Sequence, residues 1–250
     1  KNRYSWKDDM IIIAGPTCVG KSNIAIGLAK NINGAIINAD SVQVYKDLSL
    51  LSARPTFDEM EGIPHFLYGY IDRDTYFSVS DWLLDIRSAL IDIKNLKKIP
   101  ILVGGSGLYL NAVINGLVPI PSIGQKTKNQ CLSKFNQVGI EKFRKIIFEI
   151  DPYFINKNID KHRLLRAYSV FVETGKNMSF WHNQPRSGKI DRVTYPFLIY
   201  LDRQILYYKC NHRFNDMLKK GGLDEVRSIH KNVDRSLPIA KSLGVKWLLS

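Results

Sequence analysis

Cysteine is scarce in this chain. Its 250 residues hold three, Cys18, Cys131 and Cys210, with no C-x-x-C pair among them. So sparse and odd a set argues against a disulfide framework and a structural zinc site, and it fits a reducing compartment such as the cytoplasm. Long apolar runs are missing too. No stretch of about eighteen apolar residues exists, so no membrane span is expected. Lys1 to Trp6 lack the apolar region of a signal peptide. No initiator methionine precedes them, so the sequence is expected to be trimmed from a longer protein. Internal repeats and low-complexity tracts are absent. Acidic residues are outnumbered, 23 Asp and Glu against 36 Lys and Arg, for a net charge of +13. The excess is uneven: residues 119–190 hold 13 basic and 5 acidic side chains. That pattern suits a polyanionic partner such as nucleic acid. A solvated basic surface in an Ile-, Asn- and Lys-rich sequence would look the same. Apolar content of 45% and charged content of 24% are those of a soluble globular protein. The length allows one or two domains.

Against these absences stands one complete motif. Residues 15–22 read Gly-Pro-Thr-Cys-Val-Gly-Lys-Ser, the G-x-x-x-x-G-K-[ST] phosphate loop. An apolar run, Met10 to Ala14, precedes it, and a helical pattern through Ile24, Ile26 and Leu28 follows. Two glycines let successive N–H groups converge on anionic oxygens, and the helix N-terminus adds partial positive charge. Lys21 supplies a full charge, and the Ser22 hydroxyl can ligate Mg2+. The loop implies a bound polyphosphate without saying which. Cys18 within it suits a small filler residue.

Apolar runs and helical periodicity give the organisation. Strands are expected at 10–14, 35–38, 100–103 and 196–201. Helices are expected at 22–31, at 78–97 with Ser78 or Ser80 as cap, from 111 to Gly116, and at 203–220 and 223–232. Pro119-Ile120-Pro121 marks a boundary, 124–182 reads as mostly helical, and 184–194 as an exposed loop. Strand–helix alternation predicts an α/β fold with parallel pairing and right-handed crossovers. Ligands in such folds sit at the carboxyl ends of strands. The loops at Gly15–Ser22, Asp40 and Ser106 all fall there, so they should meet in one cleft. Taken singly, Asp40 would also serve as a helix cap, Ser106 as a turn hydroxyl, Arg213 as a surface helix arginine and Gln43 as a loop amide. His65 reads as structural, and Tyr45 and Tyr109 as packing residues.

Several segments together resemble the tRNA dimethylallyltransferases, which prenylate adenosine 37. Besides the phosphate loop they are Asn38-Ala39-Asp40-Ser41-Val42-Gln43-Val44-Tyr45, Gly62-Ile63-Pro64-His65 and Ile99-Pro100-Ile101-Leu102-Val103-Gly104-Gly105-Ser106-Gly107-Leu108-Tyr109. Then come His162-Arg163-Leu164-Leu165-Arg166-Ala167, His212-Arg213-Phe214 with Met217, and Gly222-Leu223-Asp224-Glu225-Val226. The resemblance runs from Ile11 nearly to the end. It implies a P-loop NTPase-like parallel sheet flanked by helices, formed by residues 1–116 and 196–250, with a mainly α-helical tRNA-binding insertion at 117–195.

The function so implied is transfer of a dimethylallyl group from dimethylallyl diphosphate to N6 of adenosine 37 in the tRNA anticodon stem-loop, releasing diphosphate. Gly15, Pro16, Thr17, Cys18, Val19, Gly20, Lys21 and Ser22 would hold the diphosphate, with Mg2+ on Ser22. Asp40 matches the general base, Ser106 the hydroxyl partner near the diphosphate, and Arg213 the arginine that contacts it. Asp40, Ser41, Gln43, Arg163 and Arg166 are the matched tRNA-binding residues, with diphosphate contact the alternative role for the two arginines. A cytoplasmic monomer is expected. Because a stacked base cannot reach a buried diphosphate, the acceptor should be extruded into a channel.

The match has departures. Leu50-Leu51-Ser52-Ala53-Arg54-Pro55 stands where the family often has Ile-Gly-Thr-Ala-Lys-Pro, and Ser106 replaces a commoner threonine. The chain stops at Ser250, after Leu243-Gly244-Val245-Lys246, before the basic Thr-Arg-Gln-x-x-Lys-Arg-Gln helix usual in the family. Three rivals remain at this point: a small-molecule P-loop kinase, an isopentenyltransferase acting on free adenine nucleotides, and a non-catalytic RNA-binding module. The strand at 101–103 ends in Gly-Gly-Ser with no aspartate for magnesium, which counts against the kinase. The basic insertion counts against the free nucleotide, and Asp40, Lys21 and Arg213 together count against the binding module.

Overall fold

The computed structural model describes residues 9–154, 159–232, 237–242, 245 and 248. The termini, Lys1 to Trp6 among them, and most of the Leu243–Lys246 segment lie outside the described residues. Two compact units form. One takes the described residues up to Ile114 and from Gly188 onward, and the other spans Asn115–Ser187.

The first unit is built on a five-stranded sheet in the order β3-β2-β4-β1-β5. Its strands are β1 (Asp9–Ala14), β2 (Gly34–Asn38), β3 (His65–Phe66), β4 (Ile99–Gly104) and β5 (Val193–Leu198), and every pair is parallel. The central strands are near-continuous apolar runs because helices cover both faces. Met10, Ile12, Ile13, Ile36, Ile37, Ile101 and Leu102 are almost fully buried. Burying side chains of this size stabilises the fold by about 1.5–3 kcal/mol each.

Helix α1 (Lys21–Ile32) follows the phosphate loop and buries Ala25, Ile26 and Ala29 against β1, β2 and β4. Helix α2 (Val79–Asn95) starts at a reciprocal capping box. The Ser78 hydroxyl accepts from Asp81 N–H, and the Asp81 carboxylate accepts from Ser78 N–H. Its buried face carries Trp82, Leu83, Ile86, Leu90 and Ile93, the helical spacing seen in the sequence. Helices α3 (Gly107–Asn115), α7 (Arg203–Lys219) and α8 (Gly222–Asn232) complete the unit, with a short 3-10 turn at Ile239–Lys241. The helix expected to continue through 111 to Gly116 starts at Gly107 and ends one residue short, at Asn115.

Two strands differ from expectation. β3 is two residues long and carries no apolar run, so periodicity did not reveal it. β5 begins at Val193, within the expected exposed loop, and ends at Leu198. Val193, Thr194 and Tyr195 pair with Asp9, Met10 and Ile11, and Pro196 pairs with Ile12. β5 is an edge strand, so the missing N–H of Pro196 need break no ladder bond. Reading a proline as the start of the strand displaced it by three residues. The expected insertion of 117–195 accordingly runs past the second unit by residues 188–195.

The second unit holds α4 (Gln125–Ile150), α5 (Lys161–Thr174) and α6 (Met178–His182). Gly139, at φ 76°, breaks α4 into two helical pieces. Phe135, Phe143, Ile147, Leu164, Ala167 and Val170 form its core. The Phe143 ring meets Phe135 and Tyr168 edge-on, with centroids 5.1 and 5.0 Å away. Asp151, 1% exposed, ends α4 and ties down α6, accepting Ser179 N–H at 2.8 Å and Ser179 O–H at 2.6 Å. Among the described residues no helix is long and apolar enough to cross a membrane.

Candidate active site

A cleft of about 780 Å³ opens at the carboxyl ends of β1, β2 and β4 in the first unit. Three loops reach it because their strands are neighbours in the sheet. The phosphate loop leaves β1, the Asp40 turn leaves β2, and the Gly105–Ser106 turn leaves β4. Pro16, Thr17, Cys18, Gly20, Lys21 and Ser22 line the cleft, as do Asp40, Ser41, Gln43, Ser106 and Arg213. Gly15 and Val19, expected among the ligand-holding residues, are buried and do not line it. Arg163 and Arg166 belong to α5 of the second unit. Arg163 donates its N–H to the capping Asp160 carboxylate at 2.9 Å, and both arginines are exposed.

Close packing of two strand ends brings Asp40 and Ser106 together. A Cβ on Gly104 would lie 2.1 Å from the Ala39 carbonyl oxygen, so only glycine fits there. Ser106 N–H then reaches Ala39 O at 3.4 Å. Its hydroxyl accepts Ser41 N–H at 3.0 Å and donates to the Ser41 hydroxyl at 3.3 Å. Asn38, fully buried, braces the same turn. Its side-chain oxygen accepts Asp40 N–H at 2.8 Å, and its amide nitrogen donates to Asp40 O and Leu67 O, each at 3.0 Å. The Trp82 indole N–H donates to Asn38 O at 3.1 Å, locking α2 to the end of β2. The Asp40 carboxylate is half-buried. Its Oδ1 accepts Val42 N–H at 2.9 Å, and Oδ2 has no hydrogen bond among the described residues. This leaves one carboxylate oxygen for a ligand donor.

The phosphate loop is held open by its own lysine. Lys21 Nζ donates to Gly15 O at 2.9 Å and Pro16 O at 2.7 Å. Gly20, at φ 96°, makes the left-handed turn into α1 that a side chain would strain. Burial lowers the Lys21 pKa below its ordinary 10.5; the Asp40 charge opposes that shift, and Arg213 adds to it. A site that depresses an ammonium pKa favours an arriving anion, which restores the charge. Arg213 on α7 donates to the Thr17 hydroxyl, so a second cation stands over the loop. One turn earlier on α7, burial and the neighbouring Cys18 thiol push the Cys210 pKa up. Cys18 is therefore a contact between loop and helix as well as a small residue.

Two functional candidates escaped the sequence reading. Asn38 was read only as part of a motif, and its role appears once the turn is folded. Tyr68 lines the cleft, and burial together with the Asp40 charge pushes its pKa up. It lies three residues beyond the Gly-Ile-Pro-His segment, whose motif was the available signal. His65 itself packs edge-on against Tyr68 at 5.5 Å and contacts Ile63 O through Nδ1. Burial lowers its pKa, as suits a structural imidazole. Among the described residues no three His, Cys, Asp or Glu side chains cluster as a metal cage.

Comparison with known proteins bears on this cleft. A family model described as IPP transferase matches residues 43–250. A tRNA dimethylallyltransferase of Pelagibacter ubique is 39% identical over 242 residues, 96% of this chain and 77% of that protein. Its counterpart from Nitrobacter hamburgensis is 37% identical over 246 residues, again 96% and 77%. The crystal structure of a tRNA isopentenylpyrophosphate transferase from Bacillus halodurans superposes with a TM-score of 0.65 at 27% identity, covering 97% of this chain and 76% of that one. A eukaryotic dimethylallyltransferase acting on tRNA gives 0.77 at 28% identity, covering 97% and 62%. The parallel sheet with its phosphate loop is thus the P-loop-like fold of these enzymes. A family model over most of the chain and relatives alike along nearly all of it make this chain a member of the IPP transferase family.

Proposed function

We propose that this protein is a tRNA dimethylallyltransferase. It transfers the dimethylallyl group of dimethylallyl diphosphate to N6 of adenosine 37, beside the tRNA anticodon, and releases diphosphate. The observation that carries the reading is the pairing of two unlike sites in one cleft. Lys21, the loop and Arg213 suit an anion, and Asp40 lies near with a carboxylate oxygen to spare.

In this reading the loop binds the leaving group. Lys21, the loop N–H groups and Arg213 stabilise negative charge as it grows on the departing diphosphate. The adenine amine is a poor nucleophile because its lone pair is delocalised into the purine. Asp40 accepts a hydrogen bond from that amine, aims its lone pair at the allylic carbon, and takes the proton as the new C–N bond forms. Ser106 fixes the Asp40–Ser41 turn through Ser41.

A single hydroxyl at Ser22, with no carboxylate cage among the described residues, fits Mg2+ carried in on the diphosphate, since that ion keeps waters and binds mostly phosphate oxygens. Bound there, it would neutralise diphosphate charge. Arg163, Arg166 and the other basic side chains of the helical unit would hold phosphates of the anticodon arm. The free thiols of Cys18, Cys131 and Cys210 suit a reducing compartment such as the cytoplasm.

The test is nucleoside analysis. Unmodified tRNA incubated with protein, Mg2+ and dimethylallyl diphosphate should yield, after digestion, adenosine prenylated at N6 and mapped to position 37. Recovery of unmodified adenosine alone would overturn the proposal.

A further inference from the structure

The Glu225 carboxylate, in the first turn of α8, gathers four donors from a loop that lies 174–176 residues earlier in the chain. Its Oε1 accepts Ser49 N–H at 2.7 Å, the Ser49 hydroxyl at 2.9 Å and Leu50 N–H at 2.9 Å; its Oε2 accepts Leu51 N–H at 2.9 Å. Three successive backbone amides and a hydroxyl converge on one ion, an arrangement that only a full carboxylate satisfies. The helix is seated tightly enough to hold it there. A Cβ on Gly222 would come 2.8 Å from Met217 O and 3.4 Å from Leu51 Cδ2, so α8 starts flush against both α7 and the clamped loop.

The clamped loop in turn sets a cleft residue. Ser52 Oγ donates to Leu48 O at 2.6 Å, and Ala53 turns through φ 52°. The Ser52 and Ala53 carbonyls then face the Gln43 side chain and accept both N–H bonds of its amide, at 2.8 and 3.1 Å. Arg54 closes the other side by donating to Tyr45 O at 2.9 Å. With its nitrogen committed to two carbonyls, the Gln43 amide cannot flip, and its oxygen is the polar atom left for a ligand. Gln43, Ser52 and Ala53 line the same cleft as Asp40. A fixed acceptor oxygen complements an exocyclic amine and opposes a carbonyl at the same place.

We infer that Glu225 is a positioning residue for the acceptor base: by clamping residues 49–51 it fixes the loop that orients the Gln43 amide. This inference rests on the proposed transfer to an adenine amine. The sequence shows Glu225 only inside a Gly-Leu-Asp-Glu-Val segment, and nothing along the chain ties it to Gln43.

The experiment compares Glu225→Gln, Glu225→Ala, Gln43→Ala and the Glu225→Ala/Gln43→Ala double variant with the wild type. Asp224→Ala serves as control. It removes a charge from the same turn, and its exposed side chain pairs with Arg227 and with no other polar group among the described residues. Steady-state transfer gives KM for tRNA, KM for dimethylallyl diphosphate and kcat. Amide hydrogen exchange at residues 49–51 reads the clamp without any turnover. Glu225→Gln keeps the shape of the side chain but sets an N–H group against Leu51 N–H, so it should be milder than Glu225→Ala.

The expected result is faster exchange at 49–51 in both Glu225 variants. KM for tRNA should rise about tenfold in Glu225→Ala, with donor KM within about twofold, and the double variant should add little to either single one. Unchanged exchange would overturn the clamp whatever the kinetics show. Additive effects, or equal losses toward both substrates, would overturn the link to Gln43. A wild type that leaves tRNA unmodified would sink the functional reading and this inference with it, and the exchange data tell that failure apart from failure of the clamp.

Discussion

Asp40 and Lys21 lie close enough to feel one another's charge; under the proposed mechanism their tasks are opposite, so their variants should separate the two halves of the reaction. Asp40→Asn keeps the hydrogen bond from Val42 N–H but cannot take the amine proton. Transfer should fall about 10²- to 10⁴-fold, the usual contribution of a positioned base. Calorimetric binding of inorganic pyrophosphate should not weaken. Lys21 makes a prediction in pH. Its folded pKa lies below the ordinary 10.5, so between the two values the unfolded chain holds more protons and stability rises with pH. Pyrophosphate affinity runs the other way, because the anion needs the protonated lysine. Affinity should therefore fall along an alkaline limb that begins below 10.5, and the limb should vanish in Lys21→Arg, whose charge persists. An affinity flat across that range in the wild type would contradict the assignment.

Elements place these residues through contacts that only the folded chain reveals. Gly104→Ala drives a Cβ against Ala39 O, a backbone atom that cannot swing aside. Urea denaturation should show a loss of about 1–3 kcal/mol, the range for overpacked sites, together with lost transfer, because β4 would move off the Asp40 turn. Much of this layer was legible beforehand. The runs at 10–14, 35–38 and 100–103 are dense in branched apolar residues and bounded by glycine or polar tips, so strand type and parallel pairing followed. The phosphate loop, Asp40 and Ser106 could be sent to one cleft because each lies just past such a run. β3 was not legible, since two paired residues leave no periodic trace. β5 was misplaced by Pro196, whose usual role as a breaker is suspended on a sheet edge. The Asn38 bond to Leu67 O, the Thr17–Arg213 contact and the Glu225 clamp were invisible for a different reason. Each is one polar side chain meeting backbone or hydroxyl partners, and long-range pairings of that kind have no pattern along the chain.

Across the molecule the basic side chains gather in two places. Lys21 and Arg213 line the cleft of the first unit. The segment 119–190, rich in Lys and Arg, lies almost wholly in the helical unit. If that unit holds the anticodon arm, log Kobs for tRNA should fall linearly with log salt, with a slope of about −0.7 to −0.9 per phosphate contacted. Arg163→Ala and Arg166→Ala should each reduce the slope and weaken tRNA binding while leaving pyrophosphate affinity unchanged. A flat salt titration would leave the basic segment a solvated surface. In the proposed reaction the phosphate loop holds a leaving diphosphate and the nucleotide is the acceptor. Labelled dimethylallyl diphosphate offered with unmodified tRNA, with AMP, and with ATP alone tests this most directly. Label should appear in tRNA and be lost in Asp40→Asn. Label only in AMP, or ATP hydrolysis without prenyl transfer, would contradict the proposed reaction.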